Sequence, residues 1–319
     1  MTGRIVLLVT SPRLPAGLLT AQAWDTVRGL PVLAAEESEQ VDALRAAGVE
    51  VRVVPPVTDE VIKDEVIKLA DPGVVWLAGP DGDQDLAREL GLRLAREPAL
   101  AELELMYGSW DPPGARLLDA VAVMDRLLSP GGDPWKRAQT HQSLAPYLLE
   151  EAYEAHDAIV AADLPAVREE LGDLLLQVIL HARLGEDAEG AAFTIDDVAG
   201  DLVEKLIRRN PHVFADTAVQ SIDEITENWE RIKREEKARG SAMDGIALAQ
   251  PALSLAAKVL GRAERAGIEV APPVDGIGAE LLSLVARARA QGVDAEGALR
   301  EAALRYADEV RAAEASGPA

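Results

Sequence analysis

The chain has 319 residues, room for two or three domains, and an apolar fraction of 48% that can fill real cores. It has no cysteine, which excludes disulfides and thiolate chemistry. A net charge of −23 repels a nucleic-acid backbone and no apolar run is long enough to cross a bilayer, so neither a nucleic-acid polymer nor a membrane is an expected partner.

Residues 4–9 (RIVLLV) form a continuous apolar run, the pattern of a strand buried on both faces. No basic leader with a cleavage site precedes it, so no secretory signal is expected and the cytoplasm is the expected compartment. A loop with Pro12 and Pro15 comes next, then a helix over 18–28. Apolar runs at 31–35, 49–54, 74–78 and 103–107 alternate with helical patterns at 39–47, 59–69 and 84–96. Strands alternating with helices predict an α/β domain with a parallel sheet over residues 1–109. A linker, 110–113, leads to a helix over 115–128 with Leu117, Leu118, Val121, Met124 and Leu128 on one stripe. SPGGDPW breaks that helix.

Two long helices come after the break. The first spans about 145–162, with Thr140 or Ser143 available as cap and Pro146 in its first turn. Asp163 caps the second, which runs to about 184 with Leu171, Leu174, Leu175, Val178 and Ile179 facing the core. Thr194 with Asp197, and Ser221 with Glu224, are capping-box pairs that open helices over 195–209 and 222–239. Short connections between these helices predict a bundle over 110–245. Helical patterns at 251–270, 279–290 and 295–315 make a C-terminal region, 246–319, with 316–319 frayed. The chain as a whole is expected to be mainly α.

The chemistry concentrates between residues 148 and 177. Glu150, Glu151 and Glu154 lie one helical turn apart, and Glu170 and Asp173 repeat the spacing on the next helix. Antiparallel packing of the two helices lets the clusters meet. Four or five carboxylates in one place need a cation, and hard oxygen ligands without cysteine or paired histidines point to magnesium or manganese. Lys205 and Arg209 are four apart on one later helix, and Trp229 and Lys233 four apart on another. Trp135 and His181 read as core residues, His181 with its hydrogen bonds satisfied.

Four blocks in order, PWKRAQTHQSLAPYLLEEAYEAHDAI, REELGDLLLQVILHARL, FTIDDVAGDLVEKLIRRNPHVF and NWERIKREEK, closely resemble the MazG nucleoside triphosphate pyrophosphohydrolases. The likeness covers about residues 115–265 and includes EExxE, a spacer and ExxD. It implies an all-α, magnesium-dependent, usually dimeric enzyme that cleaves nucleoside triphosphates to monophosphate and pyrophosphate. By that resemblance Glu151, Glu154, Glu170 and Asp173 are metal ligands. Lys205 and Arg209 hold the phosphates, and Trp229 and Lys233 contact the nucleotide. Glu150 or Glu151 is the candidate to accept a proton from the attacking water. Asp133 stands where family members often have a cysteine before PW.

The first thirty residues resemble the start of tetrapyrrole methylases, with Ser11 and Arg13 where that family places glycines; a degenerate domain is implied. The tail around Gly278-Ala279 resembles the later half of a second MazG unit that lacks its EExxE, so 246–319 is expected to be catalytically dead. Two other readings stay open: a pyrophosphohydrolase for a related nucleotide such as phosphoribosyl-ATP, and a nucleotide-sensing or scaffold protein that binds without turnover.

Overall fold

A computed structural model describes residues 3–54, 59–79, 82–215, 221–236, 240–271, 273 and 275–315. The chain divides into two compact units, Met1–Ala199 and Gly200–Ala319.

The first unit opens with five parallel strands, β1 (Gly3–Val9), β2 (Val32–Ala34), β3 (Val51–Val53), β4 (Val74–Leu77) and β5 (Ala101–Tyr107), in the order β3-β2-β4-β1-β5. Four helices connect them: α1 (Ala21–Gly29), α2 (Glu39–Ala46), α3 (Asp59–Lys68) and α4 (Gln84–Arg96). Side chains alternate across a strand, so each run feeds two cores. Ile5, Leu7, Leu33, Val74 and Trp76 pack with Val66, Leu86, Leu90 and Leu94 on one face. Val6, Leu8, Val32, Val75 and Leu77 pack with Ala23, Val27, Val41 and Leu44 on the other. Burial on both faces is why these strands read as unbroken apolar runs. Helix α1 starts three residues later than its pattern suggests. Thr20 accepts a hydrogen bond from the Ala23 amide and caps it there, leaving Leu18 exposed in the turn.

The loop after β1 is tied to the chain beyond the sheet. The Arg13 guanidinium donates to both Asp119 carboxylate oxygens at 2.8 and 2.7 Å. It also pairs with Asp111, which accepts from the Ser11 hydroxyl as well. Asp119 lies on α5 (Arg116–Leu128).

Beyond α5 come a short helix, α6 (Pro134–Arg137), then α7 (His141–Val160), α8 (Leu164–Glu186) and α9 (Ile195–Arg209), the last continuing into the second unit. Met124, Leu144, Ile179 and Leu180 form the buried centre of this helical part, with Val121, Leu128, Leu175, Leu176, Leu184 and Ile195 against it. Leu117, Leu118, Leu171 and Val178 were expected in the core but are exposed. At 3.6 residues per turn Leu171 and Val178 fall on the side of α8 opposite Leu180, and Leu176 and Leu180 take their place. In a run such as LLLQVIL every face is aliphatic, and periodicity alone does not choose among them.

Helix α7 begins at His141, earlier than expected, because Thr140 and Ser143 make a reciprocal capping box. Pro146 therefore lies inside the helix and not in its first turn. Asp133 caps the unforeseen α6 by accepting from the Trp135 and Lys136 amides. Gly132 is required before it, since a Cβ there would sit 2.2 Å from the Leu127 carbonyl oxygen. Asp163 caps α8 as expected, with Pro165 in the first turn. Gly185 lies inside α8, which runs beyond the expected end near 184; an added Cβ would lie 2.6 Å from the Phe193 ring.

The second unit contains the end of α9, then α10 (Pro211–Phe214), α11 (Ile222–Glu236), α12 (Ala252–Arg265), α13 (Ile277–Ala290) and α14 (Ala295–Ala315). The expected extension of α11 through Arg239 lies outside the described residues, as do 316–319. Helices α12 and α13 approach closely at Gly261, over which the Arg289 guanidinium lies before pairing with Glu264 at 2.7 Å. No helix among the described residues is long and apolar enough to cross a membrane.

Candidate active site

The carboxylates of α7 and α8 meet. A three-residue connection, 161–163, reverses the chain at Ala162, a non-glycine residue with φ +55°, and lays the two helices side by side. One carboxylate oxygen each of Glu151, Glu154 and Glu170 lies within 4.8 Å of the others. Glu151, Glu170 and Asp173 are half-buried; Glu150 and Glu154 are exposed.

These groups repel one another. Burial, then the charges of Asp173 and Glu154, pushes the Glu151 carboxyl above its usual range. Burial, then Glu154 and Asp173, does the same to Glu170. The charges acting on both are other carboxylates. Convergent carboxylate oxygens, two of them half-buried and with raised proton affinity, are the donor chemistry that suits a hard divalent cation, which replaces protons and offsets the repulsion.

Gln177 lies one turn beyond Asp173 on the same face of α8, and only 4% of it is exposed. Its side chain opposes the upward shift of the Glu151 carboxyl. Its Oε1 is buried without a partner among the described residues, an arrangement that costs about 1–3 kcal/mol. The expected site residues did not include it. The signal was one amide interrupting the aliphatic run LLLQVIL.

A turn further on, the ring of His181 stacks on that of His141 with 5.0 Å between centroids. Their Nδ1 atoms are 2.7 Å apart, so one is protonated and the other accepts. His181 Nε2 is buried without a partner among the described residues, so the expectation of a fully satisfied core histidine is corrected. Burial, then His141, lowers the His181 pKa. Trp135 is not a core residue either: it is 51% exposed, meeting the Tyr147 ring edge-on at 5.9 Å and the Lys136 ammonium at 5.7 Å. Its place in the short, surface-lying α6 accounts for this.

In the second unit, Arg209, Trp229 and Lys233 come together. The Arg209 guanidinium lies 5.2 Å and the Lys233 ammonium 4.4 Å from the Trp229 ring centroid. Arg209 also pairs with Glu236 at 2.6 Å, and Arg208 reaches the same carboxylate at 2.7 Å. Hydrogen bonds from Arg209, then Arg208, hold Glu236 down to about 2. Lys205 is exposed one turn before Arg209 on α9. Glu236, the anchor of this group, was missed. In REE it reads as one more charge on a solvated face.

Comparison with known proteins agrees with this geometry. Residues 139–214 match the MazG nucleotide pyrophosphohydrolase domain, a span that holds α7, α8 and α9. The chain is 42% identical to the nucleoside triphosphate pyrophosphohydrolase of Mycolicibacterium smegmatis, over 86% of this chain and 85% of that protein. It is 48% identical to the protein of that name from Mycobacterium tuberculosis, over 63% of this chain and 59% of the other. A 26.1 kDa protein of Streptomyces cacaoi is 50% identical over 72% of this chain and 94% of its own length. With the matched segment supplying the two helices whose carboxylates converge, and likeness extending over most of a full-length relative, the chain belongs to the MazG nucleotide pyrophosphohydrolase family.

Proposed function

We propose that this chain is a nucleoside triphosphate pyrophosphohydrolase that uses magnesium, with manganese able to replace it. The observation that carries the reading is the convergence of Glu151, Glu154 and Glu170 from two helices of the family-matched segment. Relatives that share this segment bear that activity in their names.

Hydrolysis breaks the anhydride bond between the α and β phosphates. A water oxygen ends on the monophosphate, and pyrophosphate leaves with the bridging electrons. Glu151, Glu154, Glu170 and Asp173 would hold the metal, which supplies charge neutralisation of the phosphates and polarisation of water. Glu150 and Glu151 are the candidates to take the water's proton; Glu150 is exposed beside the cluster, and the proton affinity of Glu151 is raised. Lys205, Arg209 and Lys233 bring the positive charge that phosphate oxygens need. Trp229 offers an aromatic face for a base, and stacking tolerates base identity. Broad substrate use follows, including non-canonical nucleotides.

A homodimer goes with this reading. Leu148, Leu149, Val160 and Leu164 are exposed on α7 and α8. Light scattering tests it.

The activity is tested by assaying the purified chain with canonical and oxidised triphosphates plus Mg2+. Monophosphate and pyrophosphate are resolved from diphosphate and phosphate. Glu154→Ala and Asp173→Ala are expected to lose at least a hundredfold in pyrophosphate release, and chelation should abolish it. Nucleotide binding with no pyrophosphate formed at any metal concentration would replace the reading with that of a binding module.

A further inference from the structure

Trp135 is held out into water by a firmly fixed piece of backbone. Gly132 leaves no room for a side chain against the Leu127 carbonyl oxygen, Asp133 accepts from the Trp135 and Lys136 amides, and the Gln139 side chain donates to the Trp135 carbonyl at 2.9 Å. The indole is nevertheless 51% exposed, with the Tyr147 ring at 5.9 Å and the Lys136 ammonium at 5.7 Å beside it. Tyr147 is exposed too, and the two rings stand 78° apart, so they form a corner. Large aromatic surface left in water at a rigid position calls for a partner. Tyr147 lies four residues before Glu151 and seven before Glu154 on α7, so all three share one face of that helix. At 1.5 Å per residue the two carboxylates are about 6 and about 10 Å along the axis from the tyrosine. A nucleotide separates its flat base from its phosphates by one sugar, a span of the same order.

We propose that Trp135 is a specificity-determining residue for the hydrolysis: the base of the substrate stacks on its exposed ring, in the corner with Tyr147, while the phosphates lie toward Glu151 and Glu154. This rests on the reading of the acidic cluster as the hydrolytic site. It adds to the contact assigned to Trp229 and does not depend on it. The chemistry selects the occupant. A flat aromatic face gains by stacking on another, whereas the carboxylates further along α7 repel an anion that brings no metal with it. A purine offers more ring to cover than a pyrimidine, so Trp135 ranks purine above pyrimidine triphosphates.

The test uses the full chain with Trp135→Ala, Trp135→Phe and, as a control at another exposed indole, Trp110→Ala. Pyrophosphate release is followed with ATP, GTP, CTP and UTP. Calorimetry measures binding of α,β-methylene-ATP with Mg2+, an analogue that cannot be cleaved at that bond. Inorganic tripolyphosphate serves as a competitor that has no base. Trp135→Ala is expected to weaken analogue binding and raise KM for ATP and GTP at least fivefold, with a smaller rise for CTP and UTP and kcat within threefold. Tripolyphosphate inhibition should stay within twofold, and Trp135→Phe should recover most of the lost affinity. Trp110→Ala should behave as the unsubstituted chain. Analogue binding by Trp135→Ala within twofold of the unsubstituted chain would overturn the proposal. So would tripolyphosphate inhibition weakened as much as analogue binding, because that is an effect on phosphate binding or folding. A fall in molar mass by light scattering that accompanies the loss would overturn it too, making Trp135 a contact between copies of the chain. An unsubstituted chain that releases no pyrophosphate would remove the hydrolase reading, and the calorimetric comparison would still decide whether Trp135 holds the base.

Discussion

Leu180 offers a direct test of which side of α8 is buried. It is 1% exposed and sits with Met124, Leu144 and Ile179 where α5, α7 and α8 meet. Leu180→Ala removes three carbons, worth about 2.4 kcal/mol of transfer free energy at about 0.8 kcal/mol each. The cavity left behind raises the loss to about 3–5 kcal/mol, because the rigid helices around it relax only in part. Leu171, seven residues from Val178 on the outer line of the same helix, is 52% exposed, and its alanine variant should lose no more than about 0.5 kcal/mol. Because the chain has two units, the measurement should be local. Hydrogen exchange of peptides covering α7 and α8, read by mass spectrometry, reports the free energy of opening there. A loss of about 3 kcal/mol speeds the slowest amides by roughly 100–200-fold, since each 1.4 kcal/mol is tenfold. Equal acceleration by Leu171→Ala and Leu180→Ala would refute the assignment of the buried face, and with it the geometry that brings Glu170 and Asp173 toward α7.

Two further outcomes concern pH. His181 binds a proton less readily in the folded chain than at its ordinary value of 6.5, so the unfolded chain takes up more protons as pH falls. The His181 contribution to stability should be lost as pH is lowered from 6.5, so His181→Phe should make the change in melting temperature between pH 7 and pH 5 less unfavourable to acid; an identical pH dependence in the two chains would contradict it. Glu236, held at about 2 against an ordinary 4.5, contributes stability that is complete above 4.5 and is lost only as pH falls toward 2. Carbon-13 carboxyl shifts should give Glu236 a midpoint below 3. A midpoint near 4.5 would mean that Arg209 and Arg208 do not hold it in solution.

Much of this architecture was legible in residue order because local chemistry decided it. Thr194 and Asp197 bond reciprocally at the start of α9, as a capping box must, and Asp163 accepts from the Ala166 amide at the start of α8. Unbroken apolar runs such as IVLLV could be stable only between two helical layers, which is where they are. The acidic spacing placed Glu151, Glu154 and Glu170 on facing sides of two helices because 3.6 residues per turn leaves little choice. What was not legible depended on partners distant in sequence. The face of α8 was ambiguous in an all-aliphatic run. Trp135 looked like a core residue until the surface position of α6 was seen. His181 and Glu236 acquire meaning only from His141 and Arg209 across the helix pairs.

The fork between Arg13 and Asp119 bears on how this protein can be divided. A cut placed after the fifth strand would look harmless in a string of letters, since Trp110, Asp111 and two prolines have the composition of a tether. Yet the guanidinium that neutralises Asp111 and Asp119 comes from nearly a hundred residues earlier. Severing the sheet from the helices would take that guanidinium away from Asp111, ahead of α5, and from Asp119 in the first turn of α5, which would keep Arg116 as a partner. The first loop thus ties the sheet to the start of α5 through Arg13. Shortened versions of this chain should retain the first loop if this pairing is to be kept.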